Sequence, residues 1–378
     1  MRLNYTKLVR GYYEAERLPV DFSDNSIVPD YSFNVLNTLG LLYTPVVDKA
    51  HLSKTNKKPE WPEGKPFAVC LTHDVDDVSA YSFKQSLRAL KSPFNGLSLT
   101  AQKVFKLESL AKHTIKSALF GFRKDPFHCY ERWLNIEKEF CAKSTFFFWP
   151  GWGNIKKHHH TDCNYVLHDR VLFDDQKCNV AEMMREINRQ GWEIGLHPSW
   201  YAFNDTDELM SQKEALETNL GCSIESVRQH YLHYDIRSTP RVQAEAGFKF
   251  DSTLGFNDNI GFRFGTCYPF KLFDLRAKKE LNIVEVPLII QDSAMLNPNK
   301  GMRVDEETAY GYIVHLAEEV KAVGGVLTLL WHPNEIYREK RILLYSRVLA
   351  YLKKQNGWLS SVKEIGNWWL KGQYIVAE

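Results

Sequence analysis

The sequence has no CxxC pair, no internal repeat, no long apolar run and almost no charge imbalance. Each absence removes a class of protein. Seven cysteines (Cys70, Cys129, Cys141, Cys163, Cys178, Cys222 and Cys267) are odd in number and scattered over 378 residues. That spacing argues against a disulfide framework or a zinc knuckle and for free thiols in a reducing compartment. A membrane helix needs roughly 20 consecutive apolar residues, and no stretch approaches that. The opening "MRLNYTKLVRGYYEAERLPV" carries acidic residues early and no unbroken apolar core, so no signal peptide is expected and a cytoplasmic location is. The 48 Lys and Arg against 46 Asp and Glu leave a formal charge of +2, which makes no electrostatic case for nucleic acid or an anionic membrane. Basic residues gather only between Lys84 and Lys124, where Glu108 is the one acid.

What is present is an ordinary globular composition, 44% hydrophobic and 25% charged. The first 66 residues are mixed and end in "SKTNKKPEWPEGKP", the mark of a linker or wrapping segment. We therefore expect an extension over 1–64 packing on a main domain over 65–378. From 67 onward, strands alternate with helices. Strands are expected at "FAVCLTHD" (67–74), "STFFFWP" (144–150), "WEIGLHP" (192–198), "SIESVRQHY" (223–231), "FKFDSTLG" (248–255), "IVEVPLII" (283–290) and "GVLTLLWHP" (325–333). Helices are expected over 125–143, 178–190, 207–221 and 306–323, the last closed by Gly324 and Gly325. The alternation predicts a mainly parallel sheet, and about seven strands favour a barrel. Two stretches break the rhythm: an insertion over about 79–124, read as basic helices, and an excursion over 151–177 that includes His158–His160.

The carboxyl ends of these strands collect chemistry. The first contributes Asp74, Asp76 and Asp77, the third His197, the fourth Arg228 and His230, the fifth Asp251, and the last His332. Asp74 and Asp76, two apart on an extended strand, point the same way. Carboxylates crowded at a strand end are costly to desolvate unless a cation or a catalytic role compensates. A carboxylate with histidines from different strands suits a divalent metal such as zinc, and the remaining carboxylate and histidine suit a general base and a general acid. That is the constellation of metal-assisted hydrolysis. Plainer roles exist for some members. Asp77 reads as a helix cap, His73 as a packing residue, the triple histidine as solvated, and Arg228 as a partner of Asp74 or Asp251.

"FAVCLTHDVDD", "KSTFFFWPG", "GWEIGLHPSW", "VRQHYL", "FDSTLGF" and "LTLLWHP" resemble, in order, the motifs of the polysaccharide deacetylases, the NodB-homology carbohydrate esterases. "NGWLSSVKEIGNWW" resembles that domain's closing segment. The resemblance spans about 67–370 and implies a distorted (β/α)7-type barrel that hydrolyses an N-acyl amide or O-acetyl ester, usually on a sugar. It implies Asp74 as catalytic base, Asp76 and His197 as metal ligands, His332 as general acid and Arg228 as the arginine orienting Asp74. It also implies an oxyanion donor in the backbone near Tyr231. The pattern departs at one point: the family's second metal histidine lies four residues after the first, and here that position is Tyr201. His230 is the preferred substitute, with His233 or His158–His160 as others.

Arg263, in "GFNDNIGFRFGTCYPF", is either a reader of a substrate carboxylate or phosphate or half of a buried salt bridge. Trp149, Trp152, Trp200 and Tyr201 lie near strand ends and are candidates to stack on a sugar. The expectation is a cytoplasmic, zinc-type metal-dependent deacetylase of a sugar or glycan precursor in bacterial surface-polysaccharide synthesis. The rivals are an amidohydrolase or deformylase on a small or lipid-linked amide, and a metal-free carbohydrate-binding pseudoenzyme.

Overall fold

The run "FAVCLTHD" forms the strand around which the sheet is built. In a computed structural model that describes residues 3–18, 34–80, 82, 108, 122 and 125–372, β1 (Ala68–Val75) is buried along its whole length. A strand covered on both faces, as parallel sheets require, reads as continuous rather than alternating hydrophobicity. The others are β2 (Thr145–Phe148), β3 (Arg170–Phe173), β4 (Gln176–Asn179), β5 (Glu193–Leu196), β6 (Ser226–Val227), β7 (Phe250–Asp251), β8 (Phe270–Asp274), β9 (Lys279–Glu285), β10 (Ile290–Gln291), β11 (Val326–Leu330) and β12 (Trp358–Ser360). The main sheet runs β10-β11-β1-β2-β5-β6-β7-β9-β8, with β12 pairing the start of β1. All pairs in it are parallel except β8 with β9. It curls into a half-barrel, the distorted barrel expected of the sequence.

Three differences from the sequence reading have local causes. The run over 283–290 divides into β9 and β10 because Pro287 lies between them, and proline has no N–H to give the ladder. β8 escapes notice because it pairs antiparallel at the sheet edge with only Lys271 exposed. The 151–177 excursion contains the β3–β4 hairpin, whose two turn residues, Asp174 and Asp175, both take positive φ, at 49° and 58°. That is the geometry of the turn that matches the twist of a two-residue hairpin. The four expected helices are present as Tyr130–Glu139, Val180–Arg189, Thr206–Leu220 and Glu306–Val323. The basic insertion expected at 79–124 lies almost wholly outside the described residues, although its two ends meet, Ser79 Oγ and Ala80 N donating to Asp125.

The described residues of the extension are tied down by specific bonds. Asn34 Nδ2 donates to Arg263 O (2.7 Å), Val47 N to Gly265 O (2.9 Å) and Trp61 Nε1 to Gly324 O (2.8 Å). The buried Asp48 carboxylate accepts from Thr266 Oγ1, Cys267 N and Cys267 Sγ. The 255–270 block is thus the seat of the extension. Gly261, at φ 122°, lets Leu42 O approach to where a Cβ would sit 2.6 Å away.

Inside the half-barrel, Phe147 on β2 lies across Gly195 on β5, and the Arg228 guanidinium sits 5.0 Å over the Phe147 ring. A methyl group at 195 would collide with that ring. Gly195→Ala should destabilise the protein by about 1–3 kcal/mol, the usual cost of overpacking, read as a lowered urea midpoint. Burial pushes the Asp48 carboxyl from 3.8 up to about 7, against the bonds it accepts. The folded state therefore keeps a proton that the unfolded chain releases, and this group makes stability fall as pH rises from about 4 to about 7. Asp48→Asn should flatten that part of a stability–pH curve measured by urea unfolding.

Candidate active site

The period of two in β1 sends Thr72 and Asp74 into the half-barrel and His73 to its outer face. There His73 Nε2 meets Glu137 (2.8 Å) and Nδ1 meets Trp331 O (2.7 Å), a packing role. On the inner side Arg228, with no solvent exposure, reaches from the end of β6 across the interior. Its Nη2 donates to Thr72 Oγ1 (3.1 Å) and Ser252 Oγ (2.9 Å), and its Nη1 lies 3.8 Å from Asp74 Oδ1. Behind it sit Asp251 and Glu285, fully buried. Burial pushes Asp251 up to about 6 and Glu285 well above the ordinary carboxylate range, so the pair holds a proton. Arg228 thus lies between Asp74 on one side and this buried carboxyl pair on the other.

His197 and His230 form the centre. His197 Nδ1 is 2.7 Å from Arg228 O, and His230 Nε2 is 2.7 Å from Thr161 O. A carbonyl only accepts, so each of these ring nitrogens carries a hydrogen, and the lone pairs of His197 Nε2 and His230 Nδ1 face inward. Those two nitrogens are 2.9 Å apart, and Asp76 Oδ1 lies 3.2 Å from the first and 3.7 Å from the second. Two lone pairs and a carboxylate oxygen aimed at one another require a shared positive charge, a proton or a cation. The electrostatic surroundings agree. Burial pushes His230 down to about 4, while His197, despite burial, is raised by Asp74 and Asp76. Asp76, despite burial, is held well below the carboxylate range by its hydrogen bond to His197 and by His230 and His332.

His332 comes from the end of β11. Its Nδ1 pairs with Asp292 Oδ1 (2.6 Å), its backbone N donates to Asp292 Oδ2 (2.8 Å), and its Nε2 faces Asp76 Oδ2 at 3.6 Å. Burial opposes the imidazolium, but the pairing with Asp292, helped by Asp76 and Asp74, raises its pKa to about 10. Asp292 was missed in the sequence although a signal existed. It directly follows β10, but reading 283–290 as one strand placed the strand end two residues short of it.

Asp74, Asp76, His197, Asp292 and His332 line one cavity of about 200 Å³. Tyr231 stands at its rim, 41% exposed, held at φ 57° with its carbonyl bound by Asn257 Nδ2. A tyrosine in the left-handed region is strained, and the next residue, Leu232, also at positive φ, is anchored among Leu288 and Leu330.

Other expectations need correction. Arg263 is not at the cavity among the described residues. Its fork is bound by Glu14 (2.9 and 2.5 Å) and by Gly255 O (2.8 Å), so the buried salt bridge, not the substrate contact, is what the fold contains. Trp200 and Tyr201 do not line the cavity either, because the short helix Trp200–Asn204 buries them. Trp200 is stacked between His159 (4.3 Å) and His233 (3.9 Å), and Tyr201 packs under Lys157 Nζ (4.0 Å). That stack also occupies His233 and His159. His158 stacks on Trp152 instead. Asp77 is exposed at the rim, where Asn334 Nδ2 donates to it (3.2 Å).

No protein-family model matches the sequence, and no curated protein does. Solved structures do resemble it. One is a protein of Mycobacterium smegmatis assigned as a polysaccharide deacetylase, 21% identical, covering 82% of this chain and 92% of its own, with a TM-score of 0.54. Another is the allantoinase PuuE, 14% identical over 86% and 97%, with a TM-score of 0.52. A third, from Pseudomonas aeruginosa PAO1 and also assigned as a polysaccharide deacetylase, is 15% identical over 86% and 98%, with a TM-score of 0.51. The chain therefore has the polysaccharide deacetylase fold, a fold that also carries an allantoinase. Among the described residues no helix is long and apolar enough to cross a membrane, and all seven cysteines are unpaired.

Breaking a buried ion pair by removing one partner costs about 3–5 kcal/mol. Arg263→Ala should cost stability on that scale in urea unfolding and leave the histidine resonances of His197 and His230 in place, because its fork is bound by Glu14 and Gly255 O and by neither histidine. A substrate-binding arginine would show the reverse.

Proposed function

We propose that the protein is a metal-dependent hydrolase that removes an acyl group from the nitrogen of an acylated sugar in a glycan precursor. The observation that carries this reading is the facing pair of imidazole lone pairs beside Asp76. With metal–ligand distances near 2.0–2.1 Å, the edges of a tetrahedral site are about 3.3 Å long. The three separations here, 2.9, 3.2 and 3.7 Å, bracket that length. Each histidine is already oriented through its outer N–H by a backbone carbonyl, as metal-ligating histidines are. Imidazole and carboxylate donors suit zinc. His230 takes the place that Tyr201 leaves vacant.

The bound cation would polarise the scissile carbonyl and ease deprotonation of the attacking water. The chain's own groups do the rest. Asp74, buried and faced by Arg228, accepts the proton of the water. His332, kept as imidazolium by Asp292, delivers a proton from Nε2 to the departing nitrogen. We assign the backbone at Tyr231, which lines the cavity, as the oxyanion donor. We assign Asp74 and His332 as catalytic, Arg228 as positioning, and Asp76, His197 and His230 as ligands.

A second reading keeps the chemistry and changes the substrate to a small non-sugar amide. The 200 Å³ cavity favours it, being below the usual range for ligand pockets. A metal-free binding module has less support, because binding alone gives no use for an imidazolium held by a buried carboxylate.

The test is metal content of purified protein and of Asp76→Ala, His197→Ala and His230→Ala variants, beside acetate release from N-acetylated sugars. One ion per wild-type chain, lost in all three variants, is expected. Asp74→Asn and His332→Ala should keep the ion and lower kcat by about 10²–10⁴-fold, the scale of general acid–base catalysis. Wild type that takes up no metal on loading, or a His230→Ala variant that keeps it unchanged, would overturn the assignment.

A further inference from the structure

We propose that Cys163 is a fourth protein ligand of the metal held by Asp76, His197 and His230, making a mixed oxygen, nitrogen and sulfur site. The inference rests on the metal reading above. Cys163 is buried, and its Sγ lies 4.0 Å from Asp76 Oδ1. A ligand atom of each of Asp76, Cys163 and His230 lies within 4.8 Å of the other two. With zinc–sulfur near 2.3 Å and zinc–oxygen near 2.0–2.2 Å, a sulfur–oxygen edge is about 3.5 Å, so Sγ would close in on Asp76 by about half an ångström and would also have to approach His197, which lies outside that three-residue cluster.

The segment that presents the sulfur is built into the site. Thr161 O, two residues before Cys163, is the carbonyl that orients His230. Between them, the Asp162 carboxylate accepts from His159 N (2.7 Å) and Trp200 N (2.8 Å), fastening the segment to the stack of His159, Trp200 and His233. Three consecutive residues thus direct one ligand, lock the loop and offer another. Asp74 Oδ1 supplies an independent sign that positive charge belongs here. It is buried and accepts no hydrogen bond from the described residues, and Arg228 comes no nearer than 3.8 Å.

On binding, the thiol proton leaves to solvent and the sulfur–metal bond forms as thiolate. A thiolate shifts preference toward zinc and cobalt(II) and away from magnesium and manganese, which prefer all-oxygen sites. The 151–177 excursion would thus add a protein ligand beyond the three of the proposed site, with water or substrate entering as a fifth. This chain would then be distinguished from a site of one aspartate and two histidines by which metals it retains.

The experiment loads the full-length, metal-stripped protein with cobalt(II) and records its near-ultraviolet spectrum, beside Cys163→Ser, Cys163→Ala and His197→Ala. A thiolate-to-cobalt charge-transfer band in wild type, absent from both Cys163 variants, is expected. Those variants should bind cobalt at least about tenfold more weakly, as losses around metal ligands typically do. Thermal unfolding of the stripped proteins checks that the variants fold, and the wild-type spectrum decides the question even if they do not. Cobalt bound by wild type without the band, or a band that survives in Cys163→Ser, overturns the sulfur ligand and leaves the metal reading standing. Wild type that binds no more cobalt than His197→Ala overturns both.

Discussion

A guanidinium with no access to water organises this molecule. Arg228 has to be compensated inside the half-barrel, and the groups that do so come from different strands: Thr72 and Asp74 from β1 and Ser252 from just beyond β7. Phe147 supports it from below, and Gly195 makes room for Phe147. Arg228's own carbonyl then sets the ring of His197. A buried unpaired charge is among the costliest things a fold can contain, so the requirement to pair this one holds β1, β2, β5, β6 and β7 in a single arrangement. The reactive residues inherit their positions from that arrangement.

Around this centre the charges are divided so that acid and base roles stay apart. Asp292 takes one nitrogen of His332 and keeps the ring protonated. Asp251 and Glu285, both pushed up by burial, hold a proton between them behind the arginine. Neighbouring groups whose environments push their protonation in opposite directions are what acid–base chemistry needs near neutral pH. Here the separation comes from where burial outweighs the stabilising partners, as at Asp251 and Glu285, and where charged partners outweigh burial, as at His332 and Asp76.

The extension and the 151–177 excursion each brace elements that carry the site. The extension ends in Asp48 and Trp61 contacts that brace 265–267 and Gly324, near the start of β11, whose far end bears His332. The excursion wraps the aromatic pair Trp200 and Tyr201 and supplies the carbonyl for His230. Aromatics that look like sugar platforms in the sequence are consumed in holding the loop. Among the described residues the aromatic that lines the cavity is Tyr231, strained and half exposed, a position expected for its backbone rather than its ring.

Which residues stand at strand ends was legible in the sequence, because a parallel strand buried on both faces announces itself as an apolar run and the first polar residue after it marks its end. Asp74, Asp76, His197, Arg228, His230 and His332 could all be found that way, and the order of their motifs pointed to the fold. Pairing across the sheet could not be read, since it is decided by residues far apart in the chain. Only the tertiary structure turned Arg263 toward Glu14 and buried Trp200 and Tyr201. It also brought Asp292 beside His332 across 40 residues and Cys163 beside Asp76 across 87. Those choices depend on which buried charge finds which partner, and local sequence carries no record of that competition.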